Sequence, residues 1–466
     1  MKRPNPSTGL LLACFCLTIS AQAAPAFKHV IIVFQENRTP DNLFGSNPNF
    51  EPGVDIASAG RNSLGATIAL QPVSIAGCYD ISHANQAFVQ MYRGGGMDGA
   101  DLETVSFAGS CAVPPNPQFA YADNSNGDLQ PYFSIATQYG FANRMFQTNQ
   151  GPSFPAHQFI FGGTSAPTET SRLFASENMG SGNGLAGCAA NPGQRVLVID
   201  PQASESQFPP VAPCFDRPTM AAILDGAGIS WKYYMNTTID NTIWNAPAAI
   251  KSLCAEKSQN GVRACTNPEY LSNVVPAPAQ VLTDIAACGL AQMSWVIPDA
   301  KNSDHAGVTG TTGPAWVAAI VNAIGTQPTC PGGDNYWNDT AIIITWDDWG
   351  GWYDHVPPFM VGGQKAHHWG QGYTYGFRVP LLVVSAYTQA GLVDNDVHDF
   401  GSILRFVEEN FGLPRIGPGY YADAFAGGLS KYFRLPTPRS FAVIPARQDG
   451  GYFLHQKPSP VGPDND

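Results

Sequence analysis

The stretch 342-IIITWDDWGGWYDHVPP-358 decides how this chain is read. An unbroken apolar, β-branched run ends in Asp347 and Asp348, and Gly350, Gly351, Asp354 and His355 follow shortly after. Such a run reads as a strand buried on both faces. Strands that deliver acids at their carboxyl ends are how open α/β sheets build ligand and metal sites. The arrangement recurs near the start, where 30-VIIVF-34 leads through Gln35 into Glu36 and Asn37.

Working outward, Val30–Phe34, Met293–Ile297, Ala341–Thr345 and Val379–Val384 read as buried strands, as does Trp231–Tyr234 after the helical pattern 219-TMAAILDGAG-228. Pro218 suits the first turn of that helix, and Gly226 or Gly228 suits its exit. Residues 315–324 read as a second helix. A third spans about 402–410, with an apolar face of Ile403, Leu404, Phe406 and Val407, and Gly412 and Pro414 end it. Apolar strands alternating with helices predict an α/β three-layer sandwich around a mostly parallel sheet. The segments 50–75, 100–130, 180–215 and 240–280 are poor in regular signal. They are expected to roof the site as insertions in one catalytic domain over 24–466, and the chain beyond Leu435 reads as an irregular tail.

Lys2 and Arg3, the apolar run Leu10 to Ile19 and Ala21-Gln22-Ala23 read as a secretory signal peptide over residues 1–23. The apolar run is too short to span a bilayer, so no integral membrane segment is expected after cleavage. A periplasmic or secreted product follows. Beyond the leader stand Cys78, Cys111, Cys188, Cys214, Cys254, Cys265, Cys288 and Cys330, enough for four disulfides in an exported chain, with Cys254–Cys265 the first pair to expect. No cysteine sits in a pattern that suits thiol catalysis. With 24 basic against 36 acidic residues and no basic stripe, nucleic acid is excluded as a partner.

Glu36 and Asn37 offer a carboxylate and an amide oxygen to a metal, or else form a turn or helix cap. Asp347 and Asp348 repel each other and are costly to bury without a cation, which favours a divalent metal over a solvated acidic face. Asp354 and His355 suit phosphate orientation or leaving-group protonation, or a turn that packs aromatics. Ser153, in 151-GPSFPAHQF-159, stands between Gly and Pro breakers that are expected to expose its hydroxyl, with His157 four residues on. A metal-bound hydroxyl is activated for attack on phosphorus; without the metal Ser153 is a turn residue. No GxSxG elbow surrounds it, which disfavours a lipase-type hydrolase. The segment 298-PDAKNSDHAG-307 adds Asp299, Lys301, Asp304 and His305 at the sheet's carboxyl edge, and His83 reads as helical, either a site residue or a satisfied surface histidine. His367, His368 and His398 are weaker candidates, and His29 and His455 read as structural or surface residues.

These residues lie in motifs by which the chain resembles the bacterial phosphoesterase family that contains non-haemolytic phospholipases C and the related acid phosphatase. The matching stretches are 36-ENRTPDNLFG-45, 96-GMDG-99, 151-GPSFPAHQFIFGG-163, 303-SDHAG-307, 345-TWDDWGGWYDHVPP-358 and 377-FRVPLLVVS-385. The resemblance implies an alkaline-phosphatase-like fold and hydrolysis of phosphoric esters. It implies a divalent metal, of unspecified identity, held by Glu36, Asn37, Ser153, Asp347 and Asp348, with Ser153 as nucleophile and His83, His305 and His355 around the phosphoryl group. Phospholipase C members commonly read ENRSFDHYFG and YDEHGGFYDHV. Here Pro40, Asn42, Asp348 and Trp349 depart from those patterns, which weakens any transfer of their substrate.

The expected reaction is therefore phosphoryl transfer to Ser153, with His305 or His355 assisting the leaving group and water releasing the product. Its substrate is a phosphate ester or a phospholipid. Trp346, Trp349, Trp352 and Tyr353 either cage a cationic choline headgroup or pack beneath the metal loop. The alternative to an enzyme is an inactive exported metal- or phosphate-binding protein. A sulfatase is disfavoured, because no CxPxR stretch is present.

Overall fold

The strands of the main sheet are β1 (His29–Gln35), β2 (Gly140–Ala142), β3 (Trp231–Tyr234), β4 (Val274–Val275), β5 (Met293–Val296), β6 (Thr340–Trp346), β7 (Leu381–Val384) and β8 (Leu392–Asp394). They lie in the order β4-β3-β5-β1-β6-β7-β2-β8. The computed structural model describes residues 1, 26–107, 111–178, 186–237, 243–254, 256–259, 262–307, 310–358 and 375–460. The expected leader beyond Met1 lies outside these residues, as do His367 and His368.

All seven residues of β1 and of β6 are buried. The two strands pair in parallel from His29–Thr340 to Gln35–Trp346, and β4, β3 and β5 continue the parallel run. Strand β7 is antiparallel to both its neighbours. Its expected start at Val379 is two residues too early. Pro380 has no N–H for the ladder, and its carbonyl accepts from Thr345 Oγ1 at 2.8 Å instead. The mixed, mostly parallel sheet is the one the apolar runs imply.

The principal helices are α1 (Pro40–Phe44), α2 (Asn85–Tyr92), α3 (Gln130–Gln138), α4 (Ser153–Gly162), α5 (Met220–Gly226), α6 (Gln280–Ala286), α7 (Gly313–Thr326) and α8 (Phe400–Phe411). Helices α4, α5 and α8 pack on one face of the sheet, where Phe34 meets Phe400 and Trp295 Nε1 donates to Ile160 O at 3.2 Å. Helices α3, α6 and α7 cover the other face, where Trp346 meets Tyr132. The result is a three-layer α/β sandwich. Pro218 falls outside α5, because Thr219 is the N-cap and accepts from Ala222 N. Helix α8 starts earlier than its apolar pattern suggests: Asp399 and Ser402 form a reciprocal capping box, and Gly412 ends the helix at φ 66°.

The loop-rich segments are cross-linked to one another and to the core. Residues 71–73 pair with 120–122, and Cys78 bonds Cys111. Phe174–Asn178, Val196–Ile199 and Glu205–Val211 form a three-stranded sheet, and the Cys188–Cys214 bond joins the segments before its second strand and after its third. Cys254 and Cys265 are joined as expected, and Cys288 bonds Cys330. The tail beyond Leu435 is irregular until the short helix Gly450–His455, where Phe453 packs on Trp316.

Ile343, mid-way along β6, has no exposed surface. Ile343→Ala is expected to lower stability by about 2–5 kcal/mol through lost burial and the cavity left behind. At the exposed Val443, the same truncation should stay within about 0.5 kcal/mol. Urea unfolding midpoints of the two variants, with disulfides intact, check this.

Candidate metal centre and active site

Because Gln35 pairs with Trp346, the residues that leave β1 and β6 emerge side by side. Asp347 Oδ1 accepts from the backbone N–H of Asn37 at 2.9 Å and of Asp348 at 2.7 Å. Asp348 Oδ1 accepts from Gly350 N at 2.7 Å. Asn37 sits in the left-handed region at φ 60°, and a Cβ on Gly350 would lie 2.6 Å from its carbonyl oxygen. Glycine is needed there, since φ is 63° and no side chain fits.

The third contribution comes from α4. Ser153 is its first residue, where unpaired backbone N–H groups and the helix dipole favour an anion. Ser153 Oγ donates to Glu36 Oε2 at 3.1 Å. One turn on, His157 places Nε2 3.1 Å from Glu36 Oε1. Glu36, His157 and Asp347 thus bring ligand atoms within 4.8 Å of one another.

Asn37 Nδ2 lies 3.1 Å from Nε2 of both His83 and His305. The Nδ1 atoms of these rings face the carbonyls of Ile81 at 2.9 Å and Ala306 at 2.7 Å. Each ring therefore donates through Nδ1 and accepts from the amide through Nε2. This leaves Asn37 Oδ1, Asp347 Oδ2 and Asp348 Oδ2 buried with no hydrogen-bond partner. Orphaned buried acceptors are costly, and a set of three beside Glu36 is what a divalent cation would satisfy. The residues present fit the implied metal.

The electrostatics agree. Burial, reinforced by the charge of Asp347, drives the Glu36 carboxyl well above the usual range, and the same two causes raise Asp348. Burial also opposes charge on Asp347, but the nearby Glu36 and Ser153 side chains and the hydrogen bond from the Asn37 amide hold it below the usual range. His157 is lowered to about 4 by burial and is neutral near pH 7.

Glu36, Asn37, Ser153, Asp347, Asp348, His83 and His305 are thereby brought together. His83 is not helical as expected: it precedes α2 and is buried. His355 belongs to a different set. Its Nδ1 is 2.8 Å from Asp41 Oδ2 and its Nε2 is 3.1 Å from Asp55 Oδ1. Arg378 pairs with both Asp354 oxygens, at 2.8 and 2.9 Å, and with Asp41 at 3.2 Å. Asp41, Asp354 and His355 are close enough to hold a metal, but the Arg378 guanidinium already supplies positive charge there. Burial works against charge on His355, yet the hydrogen bond and charge of Asp41 outweigh it and raise the ring to about 9.

The remaining candidates have structural partners. Asp304 accepts from Tyr132 at 2.6 Å and from Trp346 at 3.2 Å. Asp299 accepts from Ser459 N, and Lys301 donates to Lys457 O, so both anchor the tail. His398 pairs with Asp394, His29 faces the Ala291 carbonyl, and His455 is exposed. Trp346, Trp349, Trp352 and Tyr353 are all buried and pack against Tyr132, Phe377, Tyr79 and Phe119, so they are packing and not an open cage. Two site neighbours had no role assigned from the sequence. His157 was noted only for its four-residue spacing from Ser153, which places both on one helix face. Trp244, whose ring lies 6.3 Å from His157 and 6.4 Å from His305, had no local signal.

Residues 27–414 match the model of the Phosphoesterase family. The chain belongs to that family. This phosphoesterase is 24% identical over 443 residues to phospholipase C A of Mycobacterium tuberculosis, covering 88% of this chain and 78% of that protein. It is 24% identical over 484 residues to the non-hemolytic phospholipase C of Pseudomonas aeruginosa, covering 93% of this chain and 63% of that protein. Among solved structures it matches a protein in the alkaline phosphatase superfamily from Vibrio parahaemolyticus at a TM-score of 0.33 and 10% identity, covering 84% of this chain and 69% of that one.

Two outcomes follow for this phosphoesterase. Chelated protein should release protons as a divalent cation is added back, because Glu36 and Asp348 must give theirs up, and its apparent affinity should weaken as pH falls. Calorimetry in buffers of different ionisation heat reads this. The raised His355 stabilises the fold below its ordinary range near 6.5, and that contribution is lost as pH rises through about 9. Partial exposure discounts it to on the order of 2 kcal/mol. The Tm gap between native protein and His355→Gln should be widest at pH 6 and shrink towards pH 10.

Proposed function

We propose that this protein is a metal-dependent phosphoric ester hydrolase in which Ser153 is the nucleophile. The observation that carries the reading is the Ser153 hydroxyl at the head of α4, hydrogen-bonded to Glu36 beside three orphaned ligand oxygens. A divalent cation held by Glu36, Asn37, Ser153, Asp347 and Asp348 would acidify the hydroxyl and offset charge on the phosphoryl oxygens. Ser153 Oγ, its proton passing along the hydrogen bond to Glu36 Oε2, then forms the new bond to phosphorus as the ester oxygen leaves. The start of α4 faces the phosphoryl group with backbone dipoles. His305 and His83 accept from the Asn37 amide through Nε2, and a ring that takes up a second proton there, giving up that contact, would serve the departing oxygen. Water then frees Ser153. His355, tied to Asp41 and Asp55, is assigned to holding the loop after β6 and not to the chemistry.

The reading extends to a phospholipid or a phosphomonoester as substrate. Names of relatives favour the first, since the two relatives described above are called phospholipase C. Export is part of the reading, supported by the basic, apolar and small residues at the start and by four disulfides, which suit an oxidising compartment. So is a single catalytic domain with insertions over 24–466.

The test is hydrolysis of p-nitrophenyl phosphate and of phosphatidylcholine from pH 4 to 8, with and without a chelator, beside Ser153→Ala. Chelator-sensitive turnover that falls by at least ~10³-fold in the variant is expected. The preferred substrate assigns the class. Metal-replete protein that binds phosphate tightly and turns over neither substrate would mark an inactive binding protein instead.

A further inference from the structure

We propose that His157 is a nitrogen ligand of the metal, added to the oxygen ligands, and that it tunes the site towards zinc-like cations over calcium and magnesium. This rests on the metal reading above. Glu36, Asn37, Ser153, Asp347 and Asp348 offer oxygen alone, a donor set suited to hard cations, whereas an imidazole favours zinc, copper, iron or nickel.

The hydrogen-bond chain around the ring fixes its tautomer. Tyr233 OH donates to Trp244 O at 2.7 Å, so its oxygen is left as an acceptor. His157 Nδ1, 3.3 Å from that oxygen, carries the hydrogen. In the neutral ring Nε2 then has a bare lone pair, aimed at Glu36 Oε1 from 3.1 Å. Two bare acceptors at that separation repel unless a proton or a cation serves both. Asp347 brings a carboxylate oxygen to the same spot, and its Oδ2 has no other partner.

The ring is also held as a ligand needs to be. It has no exposed surface, its edge meets Phe34 at 4.8 Å, and its face lies nearly parallel to Trp244 at 18°. A metal-bound histidine typically passes its second nitrogen's hydrogen to an acceptor that fixes ring orientation, and the Tyr233–Trp244 pair supplies that support. His83 and His305 differ, because their Nε2 atoms face the Asn37 amide nitrogen. Helix α4 delivers Ser153 and His157 one turn apart, so nucleophile and nitrogen donor share one rigid element.

The test uses the full chain freed of metal and loaded with one equivalent of Cu²⁺ as a paramagnetic probe. Nitrogen splitting is expected in the electron paramagnetic resonance spectrum of native protein and of the His83→Gln and His305→Gln variants, and is expected to vanish in His157→Gln. By calorimetry, His157→Gln should weaken Zn²⁺ by at least ~10-fold and Ca²⁺ by less than about 3-fold. Absent splitting in the native protein, or splitting that survives in His157→Gln, overturns the proposal while leaving an all-oxygen metal site intact. If His157→Gln does not fold, Tyr233→Phe keeps the ring and removes its Nδ1 partner. Zn²⁺ affinity weakened ~10-fold in that variant supports the proposal, and unchanged affinity overturns it. A native protein that binds none of these cations sinks the metal reading itself, which is a separate failure.

Discussion

Three carboxylates at the ends of two adjacent parallel strands govern this molecule. Glu36, Asp347 and Asp348 have no exposed surface, and their mutual repulsion inside the protein is costly without a positive counterpart. The backbone takes one oxygen from each aspartate, through the N–H groups of Asn37, Asp348 and Gly350, and leaves the other bare. The surrounding features serve that arrangement. Glycine at 350 lets the loop close over Asn37, the left-handed turn at Asn37 redirects the chain, and α4 brings its first turn against Glu36.

A second network supports the first without joining it. Asp41, Asp55, Asp354, His355, Arg144 and Arg378 form alternating charges that tie α1 and the loop after it to the segment following β6. Asp354 and Arg378 meet bidentately with no solvent access, a geometry that orients both partners as well as attracting them. The loop that carries Asp347 and Asp348 is thus fixed from behind by ion pairs, while its front is left short of positive charge. The asymmetry keeps the bare oxygens available.

The central strands were legible because burial on both faces demands continuous apolar sequence, and the pattern of β1 and β6 ends where the acids begin. The short strands β2, β4 and β8 carried no such pattern, since a two- or three-residue strand at a sheet margin is set by its neighbours. The acids, Asn37, Ser153 and His305 could be read from motif and position. His355 could not be placed, because sequence adjacency to the Asp347 loop says nothing about which side of that loop a ring faces. Trp244 was hidden because it reaches His157 and His305 from an insertion, and its own sequence neighbourhood carries no signal of that contact.

The parallel pairing of β1 with β6 has a consequence in time as well as in space. Asn37 and Asp347 meet across 310 residues of chain, so no fragment can assemble the centre locally. Contacts of such separation form late and slowly, because loop closure precedes any reward. A cation with no affinity for the open chain stabilises only the finished sheet, by mass action. Occupancy of the centre by a cation would therefore report that both halves of the chain have met in register, and loss of that ion would loosen the junction where they met.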